Sequence, residues 1–260
     1  MSSLTQVAAP EAEELKLKRQ ELNEMEQELT EEELGLSTLK AELHQFERLY
    51  NRVVGSRYAE LDEVKAQILE LAVRMYPRAD GFRTEAEAAR EQARQSAEEA
   101  SEGNDDPFSP ENNFNPTEDL KKLFREVAKK IHPDLTSDQE ERDQRHELMS
   151  RLNEAYDRLD AESIRAILIE WEAGGHSSKH LGVGAQLVRT VRQIAQVRKR
   201  LRQIVCDFEG LESAEMYELK KNIEIAREHG KDLLQEMADD IAGQIHSIKN
   251  KVKNLIDELG

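Results

Sequence analysis

Apolar residues near the start of the chain recur at the spacing of paired helices. Leucine or tyrosine occupies every seventh position from Leu15 to Tyr50, and a second apolar set, interrupted at Lys18 and Glu32, follows three positions later. Such sustained heptads predict a long amphipathic helix that pairs with another helix. After Tyr50 the pattern shifts by four residues, close to Gly55, and then continues to Met75. We therefore predict an N-terminal coiled coil over residues 11–76.

The following residues have no apolar face, and apolar spacing returns only in the second half of the chain. Residues 77–117 are acidic, and we predict a flexible linker. Residues 84–100 are compatible with a helix but have no apolar face, whereas residues 101–116 are rich in turn-forming Asn, Ser and Pro. Residues 173–184 are rich in Gly, Ser and His and predict a loop. Residues 185–260 predict a helical hairpin or coiled coil, with a turn near Gly210 and a second helix weakened by Gly230.

Residues 118–172 predict a separate helical hairpin. Thr117 is a suitable N-cap for its first helix, and the helix is expected to end at Ile131 because Pro133 cannot continue it. The residues around Pro133 are therefore expected in an exposed loop, which comprises His132, Pro133 and Asp134.

The second helix of this hairpin is expected to begin at a capping box formed by Ser137 and Glu140. The stretch from Ala161 to Trp171 either extends this helix or adds another helix over the core. The predicted core of the hairpin consists of Phe124, Val127, Ile131, Leu148, Leu152, Ala155, Tyr156 and Leu159.

Composition supports a helical protein. Charged residues make up 35% of the 260 residues and aromatic residues only 5%, which argues against one large globule and against an all-β fold. The predicted fold class is all-α, with long coiled-coil helices flanking a small helical hairpin.

The formal charge of −17 is unevenly distributed. Acidic residues cluster between Glu21 and Glu33, whereas the stretch from Arg189 to Arg202 is basic. Opposite charges beside two apolar seams favour pairing, so we expect the C-terminal hairpin to pack against the N-terminal helix. Homo-oligomer formation through the same seams is the alternative. Nucleic-acid binding is not expected, because the chain is acidic and no aromatic residues interleave with the basic ones.

Little in the sequence indicates catalysis or a cofactor. Cys206 is the only cysteine, so neither an intrachain disulfide nor a cysteine-based zinc site is expected. We find no metal-binding or phosphate-binding motif and therefore predict no metal and no cofactor. No apolar run is long enough for a membrane span, and the N-terminus lacks a secretory pattern, so the expected location is the cytoplasm.

The segments LKKLFREVAKKIHPD and LMSRLNEAYDRLD together resemble the J-domain of the DnaJ co-chaperone family. In that family a basic helix ends in a His-Pro-Asp loop, and the next helix carries a core Asn-Glu-Ala-Tyr run, here Asn153 to Tyr156. The resemblance covers about 45 of the 260 residues. The family's first short helix is not recognisable, so another segment is expected to take its place, with Phe114 as one apolar contact.

The resemblance implies that the chain binds a DnaK-type chaperone ATPase and stimulates its ATP hydrolysis on behalf of an unidentified client. His132, Pro133 and Asp134 would form the activating loop. The hydrolysis chemistry belongs to the partner, so the chain itself is not expected to be an enzyme. The alternative is a structural or adaptor coiled-coil protein whose J-like hairpin activates nothing. Docking charge would come from Lys121, Lys122, Arg125, Lys129 and Lys130.

Overall fold

The structure is a computed structural model that describes residues 10–78, 80–102, 114–136, 138–174 and 182–259. These residues form helices joined by turns, and no strand occurs among them, which confirms the predicted all-α class. Within the same ranges, no helix is long and apolar enough to cross a membrane. The chain divides into two compact units, residues 1–41 with 114–213 and residues 42–113 with 214–260.

The helices follow the predicted order along the chain, with additional breaks. A π-helical turn, Asn51–Gly55, separates the first two helices at the predicted shift of the heptad pattern, and a 3-10 turn, Pro133–Leu135, follows the fourth helix. The helices are α1 (Pro10–Tyr50), α2 (Ser56–Met75), α3 (Asp80–Glu102), α4 (Glu118–Ile131), α5 (Gln139–Asp157), α6 (Ala161–Ala173), α7 (Val183–Glu212), α8 (Glu215–Glu228) and α9 (Leu233–Leu259).

In the first unit, α1 packs against α7, as the charge pattern predicts. Glu21 of α1 and Arg198 of α7 form an ion pair beside the apolar contact. A Cβ at Gly35 would lie 3.3 Å from the ring of Phe208, so glycine lets the two helices approach closely here. The heptad leucines are thus buried within one chain. Their cluster contains Leu22, Leu29 and Leu36 from α1 with Ile194, Val197 and Ile204 from α7.

The helices α4, α5 and α6 share a second core in the same unit. α6 is a separate helix that begins at its N-cap Asp160 and buries Ile164 and Ile167, so the predicted further helix is confirmed. Trp171 packs against the edge of this core. Of the predicted hairpin core, the structure buries Phe124, Val127, Ile131, Leu148, Leu152, Ala155 and Tyr156.

Leu159 is the exception, and its prediction as a core residue is wrong. Its side chain is 40% exposed, and its backbone adopts a left-handed φ of 55°. The amide of Leu159 donates to the carbonyl of Tyr156, and the amide of Asp160 donates to that of Ala155. These two bonds form a Schellman motif, which ends α5 before Leu159 can continue its apolar face.

The start of α5 also differs from the sequence-based prediction. The N-cap is Asp138, whose carboxylate accepts a hydrogen bond from the amide of Glu141 at 3.1 Å. The predicted capping box with Glu140 is therefore wrong, because the helix begins one residue later. Ser137, its other predicted member, lies outside the described residues.

The second unit contains a helix that the sequence did not predict as ordered. Residues 80–102, part of the predicted flexible linker, form α3, which packs against α2. Its buried face consists of small side chains at three- and four-residue spacing, including Ala86, Ala93, Ser96 and Ala100. Alanine supplies too little apolar surface to be recognised as a seam, although it permits close helix packing. Residues 103–113 of the predicted linker lie outside the described residues.

The C-terminal segment contains three helices where the sequence predicts two. Gly210 lies inside α7, and the turn expected between Gly210 and Ser213 falls at the end of that stretch, at Ser213 and Ala214. A second break follows α8 at Gly230, which has a φ of +75°. α9 then packs on α2 through Ile241 and Ile245 in the core of the second unit. Of the predicted loop 173–184, residues 175–181 lie outside the described residues.

Candidate functional site

The basic helix α4 begins and ends as its sequence predicts. The hydroxyl of Thr117 accepts a hydrogen bond from the amide of Leu120 at 3.2 Å, which confirms Thr117 as the N-cap. At the other end, His132 leaves the helical conformation with φ −60° and ψ 128°, and Pro133 starts the 3-10 turn. We call residues 132–136 the His-Pro-Asp turn.

The predicted exposure of this turn is wrong. His132 is 4% exposed and Pro133 is also buried, whereas Asp134 is partly exposed. The turn is covered because α1 and α7 of the same unit contact it. Both helices are distant from the turn in sequence, so local pattern alone could not predict this burial.

His132 belongs to a buried charged cluster with one residue from each covering helix. Its Nε2 atom lies 3.2 Å from Oε1 of Glu33, a residue of α1. Arg200 of α7 holds both carboxylate oxygens of Glu33, with distances of 2.6 and 3.0 Å. Burial opposes ionisation of Glu33, but the hydrogen bonds from His132 and Arg200 outweigh it and lower its pKa to about 2. Glu33 is therefore an anion at neutral pH.

The hydrogen bonds around the imidazole assign its proton. Nδ1 of His132 accepts a hydrogen bond from the backbone amide of Asp134 at 3.1 Å. The ring proton therefore lies on Nε2, which donates to Glu33. The Asp134 carboxylate remains 3.9 Å from Nδ1, beyond hydrogen-bonding distance. The imidazole thus serves to fix the turn in this structure.

Arg145 of α5 fixes the turn from the opposite side. Its guanidinium donates to the carbonyls of Lys130 and His132 at 3.1 and 3.0 Å, so it satisfies backbone groups at the end of α4. The same group lies 4.6 Å from the ring centre of Trp171. Arg145 was not predicted as a functional residue. Its position three residues before Leu148, on the apolar face of α5, is the sequence feature that could have indicated its burial.

The five predicted docking residues lie on α4 but do not form one free basic surface. Lys121 pairs with Glu118 of its own helix at 2.9 Å, and Lys122 is exposed. Lys130 pairs with glutamates of α4 and α6, Glu126 at 3.2 Å and Glu172 at 2.7 Å. Exposed pairs of this kind contribute little to stability, so they can be exchanged for other partners.

Two of the docking residues contact α1 instead. Arg125 forms an ion pair with Glu31 at 3.2 Å, and Lys129 donates to the amide oxygen of Asn23 at 3.2 Å. Burial raises the pKa of Glu26, which lies on the same helix within reach of the Lys129 charge. The acidic segment of α1 therefore occupies part of the basic face of α4.

α1 is the further segment that packs against the helical hairpin. Leu34 lies in the core formed by α4, α5 and α6. The hydroxyl of Ser37 donates to Asn153 at 2.9 Å, and that of Thr38 lies 3.0 Å from the hydroxyl of Tyr156. The Asn-Glu-Ala-Tyr run thus has a structural role. Phe114 packs edge-on against Tyr156 with ring centres 5.6 Å apart, as predicted.

Among the described residues, no group of three or more His, Cys, Asp or Glu side chains is arranged to hold a metal ion. The described site consists of charged and hydrogen-bonding side chains. Comparison of the chain with models of known protein families and with solved structures found no match.

Proposed function

We propose that this protein is a J-domain-type co-chaperone that binds a DnaK-type chaperone ATPase and stimulates its ATP hydrolysis. One observation carries the proposal: the basic helix α4 ends in His132, Pro133 and Asp134 while packed on the helix that bears Asn153 to Tyr156. A proline-fixed turn presents its neighbours at little ordering cost, and the lysines of α4 favour association with an acidic partner surface. A cytoplasmic location, as the sequence predicts, is part of this proposal.

The α1–α7 pair and the second unit then serve client or target recruitment. Their buried seams are satisfied within one chain, so self-association would use exposed faces of these helices. Val188, Val191 and Val205 of α7 are exposed and could contribute to such contacts. The client itself would contact these long helices, because the hairpin is committed to the ATPase.

The proposal is tested by measuring single-turnover ATP hydrolysis of a cognate DnaK-type chaperone with the full chain. We expect stimulation by the wild type, loss of stimulation with His132→Gln, and no effect of His146→Gln. His146 is an exposed histidine of α5 and is the matched control. Stimulation that survives His132→Gln would contradict the assignment of the turn.

The second candidate is an adaptor whose hairpin has only a structural role. The observation that favours it is the 4% exposure of His132, together with the contacts of Arg125 and Lys129 to α1. An adaptor predicts no stimulation at any concentration, including for variants in which the turn is exposed. The two candidates therefore differ in whether a variant with the turn exposed stimulates the ATPase.

A further inference from the structure

Side chains of α7 bind backbone carbonyls of the His-Pro-Asp turn. The amide nitrogen of Gln193 donates to the carbonyl of Leu135 at 2.5 Å. Gln196 donates to the carbonyl of Asp134 at 3.3 Å in the amide orientation that also lets its oxygen accept from Arg142 at 2.7 Å. Two successive carbonyls of the turn are therefore occupied by one helix.

Arg200 completes this set of contacts. Gln193, Gln196 and Arg200 have helical spacings of three and four residues, so they share one face of α7. We call these three the covering residues. Arg200 acts through Glu33, which holds the imidazole of His132.

An apolar contact accompanies these polar ones. The side chain of Leu135 is partly buried against the cluster that joins α1 and α7. Ile131, four residues earlier, lies in the separate core of α4, α5 and α6. The turn therefore lies between two apolar clusters, and only the cluster that Leu135 contacts includes residues of α7.

This division means that α7 can leave the turn without opening the hairpin. The hairpin core draws its buried residues from α4, α5 and α6 and from Leu34 of α1, and contains no residue of α7. Departure of α7 would expose the carbonyls of the turn and remove Arg200 from Glu33. The buried residues of α4 that shape the turn would keep their contacts.

We propose that α7 is an inhibitory cover, which holds the His-Pro-Asp turn closed against α1 and competes with the chaperone ATPase for it. This inference rests on the proposed function, because it assigns the turn to that partner. A partner that binds only the open form has an apparent affinity reduced by the fraction of molecules that are open. Binding of a client or target to α7 would raise that fraction.

The test uses the full chain and two different ways of weakening the cover. Gln193→Ala/Gln196→Ala removes the contacts to the turn but keeps the Glu33–Arg200 pair and the apolar cluster. Arg200→Ala removes the charged contact and serves as the independent second variant. The matched control is Lys199→Ala/Arg202→Ala, which changes exposed residues of the same helix. Helix content by circular dichroism verifies folding.

Two measurements test separately whether α7 covers the turn and whether the turn activates the ATPase. Hydrogen exchange reports whether the amides of Asp134, Leu135 and Thr136, which donate to acceptors within the turn, become accessible to water when α7 leaves. The ATPase assay reports activation. For both weakened variants we expect exchange of these amides to accelerate about tenfold, and half-maximal stimulation at a roughly tenfold lower concentration, because both track the open fraction. Amides of α5 and the control variant should not change.

The outcomes are distinct. Unchanged exchange in both weakened variants would show that α7 does not hold the turn and would overturn the inference alone. Faster exchange with stimulation equal to that of the wild type would also overturn it, while the proposed function would stand. Faster exchange with no stimulation by any variant would overturn the proposed function, and the inhibitory role with it.

Discussion

The imidazole of His132 donates to the carboxylate of Glu33, two residues that are 99 positions apart in the sequence and each 4% exposed. Because the carboxylate also receives two hydrogen bonds from Arg200, Glu33 connects three elements of the first unit: α1, the His-Pro-Asp turn and α7. A buried carboxylate with this set of donors is costly to alter, since each donor would lose its charged acceptor.

Replacing Glu33 should therefore destabilise the first unit. Glu33→Gln keeps an acceptor for His132 but removes the charge that Arg200 binds, and we expect a loss of about 2–3 kcal/mol in the free energy of unfolding. Urea denaturation followed by fluorescence of Trp171 measures this unit, because Trp171 is the single tryptophan and lies there. Glu32→Gln, an exposed neighbour, should change stability by less than about 0.5 kcal/mol.

The contribution of Glu33 should depend on pH in one direction. Its pKa is lowered from 4.5 to about 2, so its stabilisation is fully present above pH 4.5 and is lost as the pH falls towards 2. The linked free energy is on the order of 3 kcal/mol. The stability difference between wild type and Glu33→Gln should therefore shrink over this pH range in the same urea experiment. A difference that stays constant down to pH 2 would contradict the buried ion pair.

Tyr156 and Thr38 should be energetically coupled. The hydroxyl proton of Thr38 is donated to the carbonyl of Leu34 at 2.8 Å, so Tyr156 is the donor in the contact between the two hydroxyls. A double-mutant cycle with Thr38→Val and Tyr156→Phe should give a coupling of about 1 kcal/mol, measured by Trp171 fluorescence. Additive effects of the two substitutions would mean that α1 and α5 are not coupled through these hydroxyls.

Sequence pattern predicted the parts of the molecule that depend on local periodicity. The heptad leucines of α1, the N-cap Thr117, the end of α4 and seven of eight hairpin core residues follow from spacing and backbone chemistry. Burial of His132 depends instead on side chains 99 residues before it and 68 residues after it. No local rule connects such distant positions, so the exposed loop was the natural but wrong expectation.

The packing of helix α3 was not predicted, for a different reason. Three of its buried positions, Ala86, Ala93 and Ala100, are spaced by seven residues like the leucines of α1. The seven-residue spacing was present, but alanine buries little apolar area, so the spacing alone does not distinguish a packed helix from a solvent-exposed one. The helix is stabilised by contacts with α2, including the ion pair between Arg90 and Glu63 at 2.6 Å, and these contacts are not indicated by the sequence of α3 alone.

Arg145 should be intolerant of lysine. Lysine keeps the charge but lacks the planar fork that donates at once to Glu141 and to the carbonyls of Lys130 and His132. We expect Arg145→Lys to cost about 1–3 kcal/mol in urea denaturation, because two carbonyls at the end of α4 lose their donor. Arg151→Lys, which alters an exposed pair with Glu170, is the control and should cost less than about 1 kcal/mol.

Two glycines of the second unit should respond oppositely to the same substitution. Gly230 has a φ of +75° and ends α8 in a Schellman motif, in which its amide and that of Lys231 donate to carbonyls of Arg227 and Ala226. Alanine there should lower the free energy of unfolding by about 1–2 kcal/mol because its Cβ disfavours the left-handed conformation.

Gly243 lies inside α9, and a Cβ added there would meet nothing within 4 Å. Gly243→Ala should therefore raise the free energy of unfolding of the second unit by up to about 1 kcal/mol, because alanine has the higher helix propensity. Thermal or urea unfolding followed by circular dichroism compares both variants with the wild type. If the two substitutions shifted stability in the same direction, the separate helices α8 and α9 would be contradicted in favour of the single helix that the sequence pattern predicts.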